Sequence, residues 1–133
     1  MENFRQPKVA IEEIERPLRA IFNQTFEFMA LMEPDGILIE INQTALDFGG
    51  LTSNDVLGLP LWEASWWKIT KATPAKIREA IATAASGELV ANKVEILGAG
   101  NTVAQLDFTI RPIKNRSGRI ILLILKGRDF TER

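Results

Sequence analysis

Proton transfer and nucleophilic attack in this sequence fall to Asp, Glu, Lys, Ser and Thr, because its 133 residues include no histidine, cysteine or tyrosine. Most general acid–base and nucleophile pairings draw on those three missing types, so an enzyme is not expected. The nearest candidates for a carboxylate base are Asp47 and Asp107. Asp47 falls on a short exposed helix and Asp107 on the polar face of its strand, and neither is paired with a second reactive group. Without cysteine there are no disulfides and no thiolate metal sites. Met29 and Met32 are the remaining soft ligands, and no motif supports them. The sharpest local feature is aromatic: Trp62, Trp66 and Trp67 lie within six residues. The adjacent rings at 66 and 67 should divide between interior and surface. An exposed one would anchor a partner or close a cavity, its indole N–H bonded to a backbone carbonyl.

Sixteen basic and seventeen acidic residues leave a net charge of −1. No overall field draws the chain to a phosphate backbone or an anionic membrane, so nucleic acid is not an expected partner. The longest apolar run, Ile120 to Leu125, is far short of a membrane span. The first residues lack the apolar stretch of a signal peptide, which makes a cytoplasmic setting the expectation.

The elements that position these residues follow from periodicity. Ile11, Ile14, Leu18 and Ile21 recur at steps of three and four between charged residues, a narrow helical stripe interrupted at Pro17. It suits either a cover for the domain's own sheet or a dimer contact. Phe26–Met32 and Ile37–Ile41 flank Glu33-Pro34-Asp35-Gly36, which reads as a type I turn and predicts a hairpin. Asn42 then caps a short helix carrying Ala45, Leu46 and Phe48 that stops at Gly49-Gly50. Thr52 and Asp55 form a capping-box pair for one more turn. Thr73 as N-cap and Pro74 as first residue open a longer helix with Ile77 and Ile81 on one face, closed by Gly87. Ala104, Leu106, Phe108 and Ile110 alternate with polar residues, the pattern of a strand with one buried face. Ile120–Leu125 is apolar throughout and calls for cover on both faces, a task assigned to the N-terminal stripe. The result is an α+β domain with a five-stranded antiparallel sheet and short helices on one face.

This order of elements resembles the PAS fold, and the residues agree at several separated points. Arg19–Gln24 followed by Phe26-Glu27-Phe28 and Pro34-Asp35-Gly36 looks like the start of a PAS domain, and Asn42 fits its turn into the first short helix. Leu57-Gly58-Leu59-Pro60-Leu61-Trp62-Glu63 with Trp66-Trp67 is similar to the central stretch of the PAS subgroup in bacterial sensor kinases and diguanylate cyclases. Gly127–Arg133 looks like the exit motif, with Phe130 standing where isoleucine is more usual. The resemblance divides the chain into an N-terminal helical segment over 1–24, a PAS core over 25–129 and the start of an exit helix over 130–133. Asp129 and Glu132 also form the acidic version of a capping box, so a helix is expected to begin there.

By resemblance, a cavity between sheet and helices would be lined by Phe28, Phe48, Leu57, Trp62, Trp66, Ile77, Ile81, Leu106, Phe108 and Leu123. Asp129, Thr131 and Glu132 would carry the signal out, to a histidine kinase or diguanylate cyclase output domain. Ile11, Ile14, Leu18 and Ile21 would form a homodimer contact. Histidine-ligated haem and cysteine-linked flavin are excluded by composition, whereas a non-covalently held small molecule fits. Two functions compete: a sensor with a ligand in its core, and a filled domain that only dimerises and relays. A few methyl groups separate the two, since a packed core differs from a pocket by no more than that.

Overall fold

The computed structural model describes Phe22 and residues 25–130. Strand β1 (Phe28–Met32) turns back onto β2 (Leu38–Ile41) through the expected turn. There the Gly36 N–H donates to the Glu33 carbonyl at 2.8 Å and the Glu33 N–H to the Ile37 carbonyl at 2.9 Å. Gly36 has φ +93°, and a Cβ on it would lie 2.5 Å from the Trp62 ring, so both the backbone and the space require glycine. The hairpin is shorter than the apolar runs suggest. Phe26 is 93% exposed and precedes the strand, and Ile37 makes only an isolated bridge to Pro60.

Helix α1 (Gln43–Gly49) starts at Asn42 and ends on Gly50 in the left-handed region. Thr52 and Asp55 close their capping box around α2 (Ser53–Val56), with the Thr52 N–H donating to the Asp55 carboxylate at 2.8 Å. Two 3-10 turns follow, Leu61–Glu63 and Ser65–Trp67. The long helix α3 (Thr73–Ala85) begins one residue earlier than the sequence suggests. Thr73 is its first residue and Ala72 its cap position. The capping hydroxyl comes instead from Thr70, whose Oγ1 accepts from the Ala72 and Thr73 N–H groups at 3.2 and 3.1 Å.

Strands β3 (Val90–Leu97), β4 (Val103–Lys114) and β5 (Ile120–Asp129) complete an antiparallel sheet of order β2-β1-β5-β4-β3. The first strand pair therefore joins the last through β1 and β5, and β5 is central. Ala104, Leu106, Phe108 and Ile110 of β4 are all buried on the inner face, against which α3 packs. Leu123 and Leu125 of β5 join them.

The all-apolar start of β5 has two origins. Ile113 pairs with Leu122 but Lys114 with Ile120, so Ile121 is the extra residue of a bulge and stands 40% exposed. Beyond the bulge, Leu122 and Ile124 lie on the outer face, half-buried beside Met29 and Leu31. The stripe Ile11, Ile14, Leu18 and Ile21, assigned above to that face or to a dimer, lies outside the described residues.

Candidate functional site

Asn42 joins the first strand to the first helix. Its side chain is fully buried and makes four hydrogen bonds. Oδ1 accepts from the Met29 N–H at 3.0 Å and the Ala45 N–H at 3.3 Å. Nδ2 donates to the carbonyls of Phe22 at 2.9 Å and Glu27 at 2.8 Å. One amide thus ties the lead-in residues, β1 and α1 together, and every donor and acceptor it carries is used.

Between α1, the 3-10 turns and the sheet lies a void of about 20 Å³ lined by Phe28, Met29, Ala30, Ile41, Ala45, Leu61, Trp66, Trp67, Ile96, Leu106 and Leu125. Of the ten residues expected to line a cavity, Phe28, Trp66 and Leu106 do so. Ile77, Ile81, Phe108 and Leu123 are buried in the same core without reaching the void. Phe48, Leu57 and Trp62 are half-buried at its margin. Phe48 packs its ring 5.4 Å from Phe28, and Trp62 lies against Gly36 with the Arg78 guanidinium 5.1 Å from its ring centre.

The division of Trp66 and Trp67 between interior and surface is overturned, because both are 3% exposed. They sit on a 3-10 turn, where successive side chains diverge by roughly 120°, and that turn is enclosed from both sides. The rings meet edge to face, 6.4 Å apart at 67°. Trp66 takes the α1 side, its Nε1–H donating to the Ala45 carbonyl at 3.0 Å. The turn also packs on β3, and the Trp67 Nε1–H is the one buried side-chain polar group without a hydrogen-bond partner among the described residues. Leu125 could have been found from Leu123 by alternation along β5. Trp67 could not, because adjacent residues share a buried environment only when two layers enclose them.

Asp129 ends β5 and Phe130 follows it, with its N–H donating to the Gln105 carbonyl at 2.9 Å. The Lys93 ammonium lies 5.1 Å from the Phe130 ring centre, and the Lys76 ammonium donates to the Lys93 carbonyl at 3.0 Å. A line of contacts therefore runs from α3 across β3 to Phe130, along one wall of an open groove of about 690 Å³. Thr131 and Glu132 lie outside the described residues.

Asp47 accepts from the Gln43 amide at 2.8 Å on the outside of α1, and Asp107 faces Lys93 and Arg128 across the sheet. No group of three or more metal-ligating side chains occurs among the described residues, and no helix among them is long and apolar enough to cross a membrane.

A five-stranded antiparallel sheet of order β2-β1-β5-β4-β3, with short helices on one face and a core between them, defines the class of fold. The PAS fold family matches residues 22–133, and the chain belongs to it. It is 37% identical over 117 residues to the sensor histidine kinase TmoS of Ectopseudomonas mendocina, covering 86% of this chain and 12% of that protein. It is 30% identical over 126 residues to the hybrid signal transduction histidine kinase D of Dictyostelium discoideum, covering 93% of this chain and 8% of that protein. The chain thus spans a small fraction of either relative. Among solved structures, the PAS domain of a protein from Colwellia psychrerythraea superposes with a TM-score of 0.71 at 16% identity, covering 90% of this chain and 99% of that one.

Proposed function

We propose that this PAS domain is the input module of a cytoplasmic histidine kinase, that it senses a small molecule in its core, and that it acts as a homodimer. The observation that carries the reading is the course of β5. Leu125 floors the void, and the same strand ends four residues later at Asp129 and the Phe130 contacts. A molecule that spread the core would move the strand that feeds the exit, and binding energy spent on one of two arrangements shifts their populations. Both relatives named above are histidine kinases, which favours that output over a cyclase. The ligand-free relay has one observation in its favour: a void of about 20 Å³ has room for a single water.

Replacing Phe130 with alanine separates relay from stability. Loss of an exposed cation–π contact costs under about 1 kcal/mol, so thermal unfolding should change little. Autophosphorylation of a kinase chain carrying the variant should lose its response to input, and an unchanged response would place the relay elsewhere. For the dimer, the N-terminal stripe is the proposed interface. Ile14→Glu should lower the sedimentation coefficient toward the monomer at micromolar concentration, and unchanged sedimentation would remove the stripe from the contact.

A further inference from the structure

We propose that the β4–β5 hairpin is a docking arm for an anionic lipid bilayer, held there by its basic tip and by an exposed isoleucine beside it. The net charge of −1 averages over an uneven chain: from Phe108 to Arg128 there are six basic residues and no acidic one. Four of the six, Arg111, Lys114, Arg116 and Arg119, fall on the part of the hairpin that stands clear of the sheet. β3 stops pairing with β4 at Ile110 and β1 stops pairing with β5 at Leu123, so residues 111–114 and 120–122 pair only with each other. The turn between them is fixed, because the Asn115 side-chain oxygen accepts from the Ser117 N–H at 3.0 Å, the Ser117 hydroxyl at 2.8 Å and the Arg119 N–H at 3.0 Å. All four basic side chains are exposed, and none has an ion-pair partner among the described residues. Acidic residues begin only at the arm's base, with Glu33 after Met32, the partner of Leu123, and Glu88 two residues before Val90, the partner of Ile110.

Three strand steps separate Arg111 from Lys114, roughly 10 Å, which is comparable with the screening length of about 8 Å at physiological salt. The four charges therefore act on a facing surface together. A layer of acidic headgroups attracts such a cluster, at roughly fivefold in partition per residue. Charge alone would suit a nucleic-acid backbone as well, and the apolar neighbours decide between the two. Ile121, the bulge residue next to this tip, is 40% exposed, and Leu89, the residue before Val90, is 55% exposed. An aliphatic side chain gains by entering the acyl boundary of a bilayer and gains nothing against solvated phosphates. A protein partner fits less well, because a specific interface takes about 800 Å² per side and a two-stranded arm is narrow and convex. A bilayer yields to a protrusion. Since β5 begins in the arm and ends at Asp129, docking would set the tip against the membrane with Phe130 at the opposite end of the same strand. This needs neither the ligand in the core nor the dimer.

The test is co-sedimentation of the 133-residue chain with vesicles of phosphatidylcholine alone and of phosphatidylcholine mixed with phosphatidylglycerol. The chain should pellet with the anionic vesicles and stay in solution with the neutral ones. Salt at about 1 M, where the screening length falls to about 3 Å, should release it. Arg116→Gln combined with Arg119→Gln should weaken the partition roughly twenty- to thirtyfold, two residues at about fivefold each. Ile121→Ser leaves the charge unchanged and should weaken it roughly fourfold or more, the worth of one methylene leaving the apolar boundary. Lys68→Gln combined with Lys71→Gln removes the same charge from the exposed turn before α3 and should cost less than about threefold. If the anionic vesicles leave the chain in solution, or if both pairs of charge variants weaken binding equally, the arm is not a docking site. If duplex DNA binds as tightly as the vesicles and Ile121→Ser changes neither, the arm contacts phosphate backbones and the bilayer assignment falls. Thermal unfolding checks that each variant is folded; should Ile121→Ser not be, the pair on the solvent-exposed turn decides against its lysine control.

Discussion

Asn42→Asp should lower the melting temperature of the domain by about 10–15 °C, the equivalent of roughly 3 kcal/mol at the 3–5 °C per kcal/mol typical of a chain this long. The substitution is isosteric and keeps the acceptor that serves Met29 and Ala45. It replaces the NH2 group that serves the Phe22 and Glu27 carbonyls with a second oxygen. Two partly buried carbonyls then lose their donor, each at about 1–3 kcal/mol, and an ionised carboxylate would face both. The group therefore favours its protonated form when folded, which raises its pKa above the unfolded value of about 3.9. A raised acid pKa means that the folded state binds the extra proton, so stability falls as the pH rises from about 4 to the folded pKa and stays low above it. The variant should be more stable at pH 4 than at pH 7 relative to the wild type, as followed by thermal unfolding at both. A melting temperature within 3 °C of wild type at neutral pH would show that the four bonds of Asn42 do not hold β1 and α1 together.

Trp66→Ala carries the largest packing loss, about 3–5 kcal/mol for a buried tryptophan cut to alanine. Trp66 fills the space between α1 and the sheet so closely that a Cβ on Gly49 would lie 2.7 Å from its Nε1. Its removal also joins the vacated space to the existing void, which Trp66 itself lines. An apolar hole of that kind stays dry and accepts benzene. Saturating benzene should therefore raise the melting temperature of the variant by several degrees through mass action, and that of the wild type by much less. A loss below about 1 kcal/mol, or equal benzene stabilisation of both proteins, would mean that Trp66 does not border the core space as described.

Much of this architecture is local enough to be written in short stretches of sequence. The Glu33–Gly36 turn, the Asn42 cap and the Thr52–Asp55 box each depend on residues within a few positions of one another, and each is in place. The alternation along β4 reports burial on one face directly, since side chains of a strand alternate by geometry. The candidate site is less legible because it is defined by volume. Phe28, Trp66 and Leu106 reach the void and Ile77, Phe108 and Leu123 do not, although all six are buried and apolar. That distinction depends on how three layers meet. Trp67 was hidden for a related reason: a 3-10 turn clamped between α1 and β3 buries neighbouring side chains that a surface turn would separate. The bulge at Ile121 likewise came from pairing across strands, which a run of apolar residues does not disclose. The start of α3 moved because Thr70, three residues upstream, offers its hydroxyl where Thr73 was expected to.

The central claim, that this PAS domain is a dimeric sensor with a small molecule in its core, is tested most directly by native mass spectrometry of the freshly purified chain. The account predicts a dimer at twice the 14.9 kDa chain mass, carrying a small-molecule adduct that is lost on mild activation. A monomer, or a dimer that stays bare, would contradict it.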